Sequence, residues 1–200
     1  MHYAISYQAE HNDFLICTSR RKSLKHKLIC VRQGLVLVKL GKHEFAVEPN
    51  QYFWLPFDTL VSITYTPNTL VDTIELSSRV SLRLPKQAGF IKSNELMTAL
   101  LNRLRDVPAT RDKQIDLLTV LQQELVDLCP ALKEGKLSQQ IAQWKYDGES
   151  SLSSELQLVL RVREANKQMQ SGKKRPVVVE ALFDGNDSLF TGLEKAILGR

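Results

Sequence analysis

The sequence predicts an α+β fold, a β-sheet half followed by a helical half. Three observations carry that prediction. Up to Pro85, short apolar runs rich in β-branched and aromatic residues alternate with turn residues. Beyond Pro85, apolar residues recur at helical spacing. Near the end, two short helical segments flank the turn Asp184-Gly185-Asn186-Asp187, which is the sequence form of a helix-turn-helix.

Strands are expected at Phe14 to Cys17, Leu28 to Val31, Leu35 to Leu40, Glu44 to Val47, Tyr52 to Leu55, Leu60 to Tyr65 and Val71 to Leu76. Gly34, Gly41-Lys42, Pro49-Asn50, Pro56 and Pro67-Asn68 separate them. About seven strands this short bury their alternating faces only by packing two sheets or closing one, so residues 1–85 are expected to form a sandwich or barrel. Period two puts Val36, Val38 and Leu40 on one face, with Lys39 on the other.

Residues 86–132 read as an antiparallel helical hairpin. Leu96, Leu100, Leu101 and Leu104 mark a first helix from Asn94 to Val107, with Ser93 as N-cap and Pro108 as its stop. Ile115, Leu118, Leu121, Leu125 and Leu128 mark a second from Arg111 to Cys129, stopped by Pro130. Such stripes more often pack against the chain's own core than against a second copy. Lys133 to Lys136 reads as a hinge, and residues 136–200 as a small all-α unit. Its helices are expected at Leu137 to Tyr146, Ser154 to Gln170 (ended by Gly172), Pro176 to Phe183 and Ser188 to Leu198.

Hydrophobic residues make up 43% of the chain and charged ones 24%, ordinary for a globular protein with its own core. The net charge of +5 favours an anionic partner mildly. The opening residues lack the basic and apolar regions of a signal peptide. No stretch approaches the ~20 apolar residues of a membrane span. A cytoplasmic location and no membrane partner are therefore expected. Cys17, Cys30 and Cys129 lie far apart and form no CxxC pair; buried free thiols are expected for Cys17 and Cys30. His2, His11, His26 and His43 form no HxH pair. With no Gly-rich phosphate loop or nucleophile elbow either, no enzyme activity, metal or cofactor is expected.

Several stretches together carry a family resemblance: Cys30 to Val38, Phe45 to Gln51 and Trp54-Leu55-Pro56, then Leu84-Pro85, Ser93 to Leu104 and Leu117 to Leu125. Arg161-Val162, Ala165, Gly172, Ser188, Phe190, Lys195 and Gly199 complete it. The chain thereby resembles the AraC/XylS-type transcription regulators. The resemblance implies a cupin-like effector barrel over 1–85, a hairpin for packing or dimerisation over 86–132, and a helix-turn-helix domain over 136–200. The chain departs from that family's pattern, which has two helix-turn-helix units. Leu137 to Trp144 resembles the opening helix of the first unit, but the distance from Ala142 to Arg161 is too short for the rest of it. The C-terminal domain is therefore expected to be a reduced one. Asp187 and Glu194 add negative charge to the second unit, and Gly192 interrupts its recognition helix at about 1 kcal/mol against Ala.

Base readout needs side chains at the start of a helix entering the major groove, and Asn186, Ser188 and Thr191 are the candidates. Lys173, Lys174, Arg175 and Lys195 are the candidate phosphate contacts, with Arg161, Arg163 and Lys167 as an extension. Phe45, Phe53, Tyr52 and Trp54 are strand aromatics that either line a small-molecule pocket or fill the core. Arg20, Arg21, Lys22, Lys25 and Lys27 form a second basic patch, whose plainest reading is an exposed charged loop. The expected function is sequence-specific DNA binding by a cytoplasmic regulator, as a homodimer or with a related regulator, modulated by a small-molecule effector. The alternative is an interaction protein that no longer binds DNA and acts by pairing with a partner.

Overall fold

The structure is a computed structural model that describes residues 4–106 and 111–200, the side chains of 111 and 112 excepted. Among the described residues ten strands come first: β1 Ile5–Asn12, β2 Ile16–Cys17, β3 Arg21–Lys22, β4 Lys25–Gln33, β5 Val36–Leu40, β6 His43–Val47, β7 Tyr52–Leu55, β8 Leu60–Tyr65, β9 Thr69–Ser77 and β10 Gly89–Ile91. One sheet runs β1-β9-β4-β7-β10, and the other β2-β8-β5-β6 with β3 also paired to β8. Every ladder is antiparallel. Among the described residues no ladder joins the sheets, so they face each other as a sandwich and the closed barrel is not formed. The chain changes sheet at turns rather than through continuous bent strands. At Gly34, φ +78°, it leaves β4, and a Cβ there would sit 2.6 Å from Thr69 Oγ1. Only glycine takes that turn so close to Thr69 without strain.

Three apolar cores follow from these two sheets. Ile29, Val36, Val38, Phe45, Phe53 and Ile63 fill the space between them. On the outer face of the first sheet, Leu28, Cys30, Tyr52, Trp54 and Ile74 meet Met97, Leu101 and Leu104 of α1 (Glu95–Asp106) and Leu118 and Leu121 of α2 (Arg111–Glu124). On the outer face of the second, Leu35, Leu37 and Ala46 meet Ile141 of α3 (Lys136–Gln143) and Leu160 of α4 (Ser154–Gln170). The order of layers is helices, sheet, sheet, helices. Central strands are thus buried on both faces, which is why β7 reads Tyr-Phe-Trp-Leu with no polar residue.

The hairpin differs from expectation at its ends. Asn94, not Ser93, caps α1, its Oδ1 accepting the Met97 N–H at 2.7 Å. The expected end at Val107 and stop at Pro108 lie outside the described residues. The second helix ends at Glu124 rather than running to Cys129, and beyond it Ala131 bridges to Phe90 of β10. Cys30 is buried, but Cys17 and Cys129 are exposed. The two-residue β2 lies at a sheet edge, which leaves Cys17 uncovered.

A buried charge ties the hairpin to its sheet. Asp72 of β9 is fully buried and accepts from Tyr7 Oη at 3.0 Å, Arg32 Nε at 2.7 Å and Arg105 Nη2 at 2.8 Å. Burial, with the Asp72 charge second, pushes Tyr7 up to about 12. A carboxylate taken this far from water is tolerable only with such partners.

The last elements are α5 (Arg175–Phe183), α6 (Asp187–Leu193) and a π-helical turn, Glu194–Leu198. The single helix expected from Ser188 to Leu198 is therefore two pieces. Val159 and Val162 of α4 join Val178, Val179, Leu182, Phe183, Phe190 and Ile197 in a fourth core. Leu15, from the loop between β1 and β2, also enters it, and its N–H donates to the Ile197 carbonyl at 2.7 Å. Phe14 packs against Gly199, where a Cβ would lie 2.7 Å from its ring.

Candidate nucleic-acid interface

The connection between α5 and α6 explains the local sequence. Asp184 and Gly185 both take left-handed backbone, φ 51° and 74°, and reverse the chain within two residues. Aspartate tolerates that region better than most non-glycine residues. Asn186 then caps α6, its Oδ1 accepting from the Leu189 N–H at 2.9 Å. Phe183 and Phe190 pack across the turn with ring centroids 4.7 Å apart.

Arg175, at the start of α5, holds the two helices together. Its Nε donates to Asp187 Oδ1 at 2.8 Å and its Nη2 to Thr191 Oγ1 at 2.9 Å, while Nη1 donates to Glu194. The guanidinium carbon lies 4.6 Å from the centroid of Phe190. Asp187, Thr191 and Glu194 are four and three residues apart, so they line one stripe of the helix and meet one fork. The bond to Glu194, then that to Asp187, raises the Arg175 pKa.

The expected site residues separate into two groups. Arg175, Asn186 and Thr191 spend polar atoms on intramolecular bonds. Lys174, Ser188 and Lys195 are exposed, and Lys173 is exposed with a bond to Gln168 at 3.1 Å. Ser188, Thr191 and Lys195 are all exposed, and so is Gly192 between them, with nothing within 4 Å of its Cβ position. The proposed extension does not continue the surface. Arg163 donates two hydrogen bonds to the Glu44 carboxylate of β6, both at 3.0 Å, and Arg161 donates to the Tyr146 carbonyl. Lys167 pairs with Glu164. The Arg175 clasp itself was not readable in the sequence, where its acidic partners stood only as unfavourable charge.

The three aromatics Phe45, Tyr52 and Trp54 do not converge. Alternation along β7 sends Tyr52 and Trp54 to the core beneath α1 and α2, while Phe45 and Phe53 lie between the sheets. Tyr52 lines a cavity of about 560 Å³ with Ala46, Gln51, Phe90 and Ile91. Another, of about 320 Å³, opens at the end of the sandwich, floored by Leu55, Val61 and Ile63 and edged by Arg21, Lys22, Lys25 and Lys27. Glu75 stands in its wall, paired to Lys25 at 2.6 Å and Lys27 at 2.7 Å. Burial pushes its carboxyl up, but the hydrogen bonds from the two lysines win and hold it below its usual range.

His2 lies outside the described residues. The other histidines have separate partners: His11 pairs with Asp13, His43 with Glu134, and His26 stacks on Trp54 at 5.7 Å. Among the described residues, no helix is long and apolar enough to cross a membrane.

No protein-family model matches the chain, and no curated protein matches it. Among solved structures, an apo variant of ToxT from Vibrio cholerae is 9% identical, with a TM-score of 0.46 over 100% of this chain and 95% of that one. A cupin superfamily protein from Desulfitobacterium hafniense is 12% identical, with a TM-score of 0.36 over 39% of this chain and 72% of that one. Neither score reaches 0.5, so these likenesses assign no family and no activity.

Proposed function

We propose that the chain is a DNA-binding transcription regulator of the AraC/XylS type whose reading unit is α5 and α6. One observation carries the reading: the Arg175 clasp pairs with both Asp187 and Glu194 and ties α6 and the turn after it to α5, while Ser188 and Lys195 stay exposed. Lys173 and Lys174 stand at the start of α5, where cations meet phosphates, and Ser188 with the free amide hydrogens of Asn186 meets base edges. The open position at Gly192 lets the α6 backbone approach a groove closely. A single unit of this size covers little DNA, so a homodimer on two half-sites supplies the affinity through effective concentration. The effector is a small organic anion with an apolar body, accepted by the cavity whose cationic rim is Arg21, Lys22, Lys25 and Lys27. The location is the cytoplasm, and no catalytic role is proposed.

The test is fluorescence anisotropy against DNA from the gene's own upstream region, with a scrambled control, over a salt series. Tight, sequence-dependent binding is expected. Lys173→Ala with Lys174→Ala should reduce the slope of log K against log salt by about 2, since each lost phosphate contact removes about 0.9. Equal, weak binding to both DNAs would sink the reading.

One observation favours a second reading, an interaction protein without DNA binding. From residue 173 to 195, Lys173, Lys174, Arg175 and Lys195 face Glu180, Asp184, Asp187 and Glu194, so the unit has no net charge. Leu96, Ile115 and Val120 on the hairpin, each at least 40% exposed, would then be the pairing surface.

A further inference from the structure

We propose that the turn end of the sandwich around Leu24 is a docking surface for an anionic lipid bilayer. Leu24 is 77% exposed, more than any other large apolar side chain among the described residues. It stands on the turn between β3 and β4. The neighbouring loop between β7 and β8 adds Phe57 and the first residue of β8 adds Leu60, 45% and 43% exposed. Backbone bonds fix the two segments side by side: Ser23 N–H donates to the Thr59 carbonyl and Asp58 N–H to the Ser23 carbonyl, both at 2.8 Å. Leu60 and Lys22 are opposed in the ladder. These three apolar side chains serve none of the four cores.

The surround of this apolar tip is cationic. Arg20, Arg21, Lys22 and Lys25 lie within four residues of Leu24. Asp58 and Glu75 are the acids that meet them, through pairs with Lys22 and Lys25. Among the described residues Arg20 and Arg21 are in no ion pair, so the tip keeps an excess of positive charge. Apolar side chains ringed by lysine and arginine match the layering of a membrane surface, acyl chains beneath and anionic headgroups above. A protein partner is less favoured, because a stable interface buries far more surface than three side chains on two turns offer. A nucleic acid could stack one base on Phe57 but would gain little from Leu24 and Leu60, which have no face on which bases stack. The contact is peripheral, with Leu24 and Phe57 entering the headgroup boundary.

Cosedimentation of the full chain with vesicles tests this. Binding is expected to vesicles of equal parts phosphatidylglycerol and phosphatidylcholine, and none to pure phosphatidylcholine. Leu24→Ser with Phe57→Ser should lower the partition coefficient about tenfold or more, given the apolar area lost. Arg20→Ser with Arg21→Ser should lower it about as far. Circular dichroism melts confirm that both variants fold, and Lys173→Ser with Lys174→Ser should bind vesicles like the parent. Absence of binding to the anionic vesicles overturns the proposal. So does binding that survives loss of Leu24 and Phe57, which marks simple charge adsorption. If the tip variants weaken binding to duplex DNA and leave vesicle binding unchanged, the tip is a nucleic-acid surface and the proposal falls. None of these outcomes depends on whether α6 reads DNA.

Discussion

In β7 all four residues are buried, because alternate side chains feed two different cores. In the seven-residue α6 only Phe190 is buried. The sandwich is held by apolar surface on both sides of each central strand. The unit of α5 and α6 is held by a small core that borrows Leu15 from the far end of the chain, and by one guanidinium reaching across two helices. The first arrangement is redundant, since losing one contact leaves the other face packed. The second rests on a few residues and leaves most of α6 exposed.

This contrast can be broken at several points. Phe53→Ala should have the largest effect, removing a ring from the core between the sheets at a cost of about 3–5 kcal/mol, read from urea midpoints. A cost under about 1 kcal/mol would mean that the sandwich core is far looser than its burial implies. Leu15→Ala should cost about 2–5 kcal/mol, but unevenly. Amide exchange should quicken in α5, α6 and the π turn while β4 and β5 stay protected. Equal loss everywhere would show that the two regions unfold as one.

Arg175→Ala comes next, at about 1–2 kcal/mol, because the side chain is 36% exposed and water screens its ion pairs. Arg175→Lys should recover little, since one ammonium cannot reach Asp187, Thr191 and Glu194 together. Full recovery would reduce the clasp to plain charge neutralisation. Gly192→Ala is the smallest change and has the opposite sign. The position is helical with open space at Cβ, so stability should rise by about 0.5–1 kcal/mol. If DNA affinity falls while the melting temperature rises, the bare backbone at Gly192 serves contact rather than folding.

The same contrast explains what the sequence disclosed. Strands buried on both faces appear as continuous apolar runs, as in Leu28 to Val31 of β4, Val36 to Val38 of β5 and all of β7, whereas β8 and β9 were legible from their β-branched residues and flanking turns. The strand β1, Ile-Ser-Tyr-Gln-Ala-Glu-His-Asn, lies at an edge and half in water, so it carries no such run. The three-residue β10 is too short to leave a pattern. Asn94 and Ser93 are both good caps, and only the hydrogen bond to Met97 distinguishes them. The turn at Asp184-Gly185 was legible from its chemistry. The clasp was not, because Arg175 meets Glu194 across 19 positions of sequence, a pairing visible only once the turn is in place. The grouping of Phe45 with Tyr52 and Trp54 failed because the faces of β6 and β7 could not be matched without knowing which sheet each strand joins.

The bond between Leu15 and Ile197 also bears on how the molecule comes into being. Leu15 is synthesised 182 residues before its partner Ile197. At 5–20 residues per second, the wait is on the order of ten seconds or more. Over that interval β1 can already pair with β9, while Phe14 and Leu15 stay uncovered and available to chaperones. The helices α5 and α6 therefore lock onto a sandwich assembled beforehand, and a chain whose synthesis stalls before Ile197 shows its incompleteness as a bare Leu15.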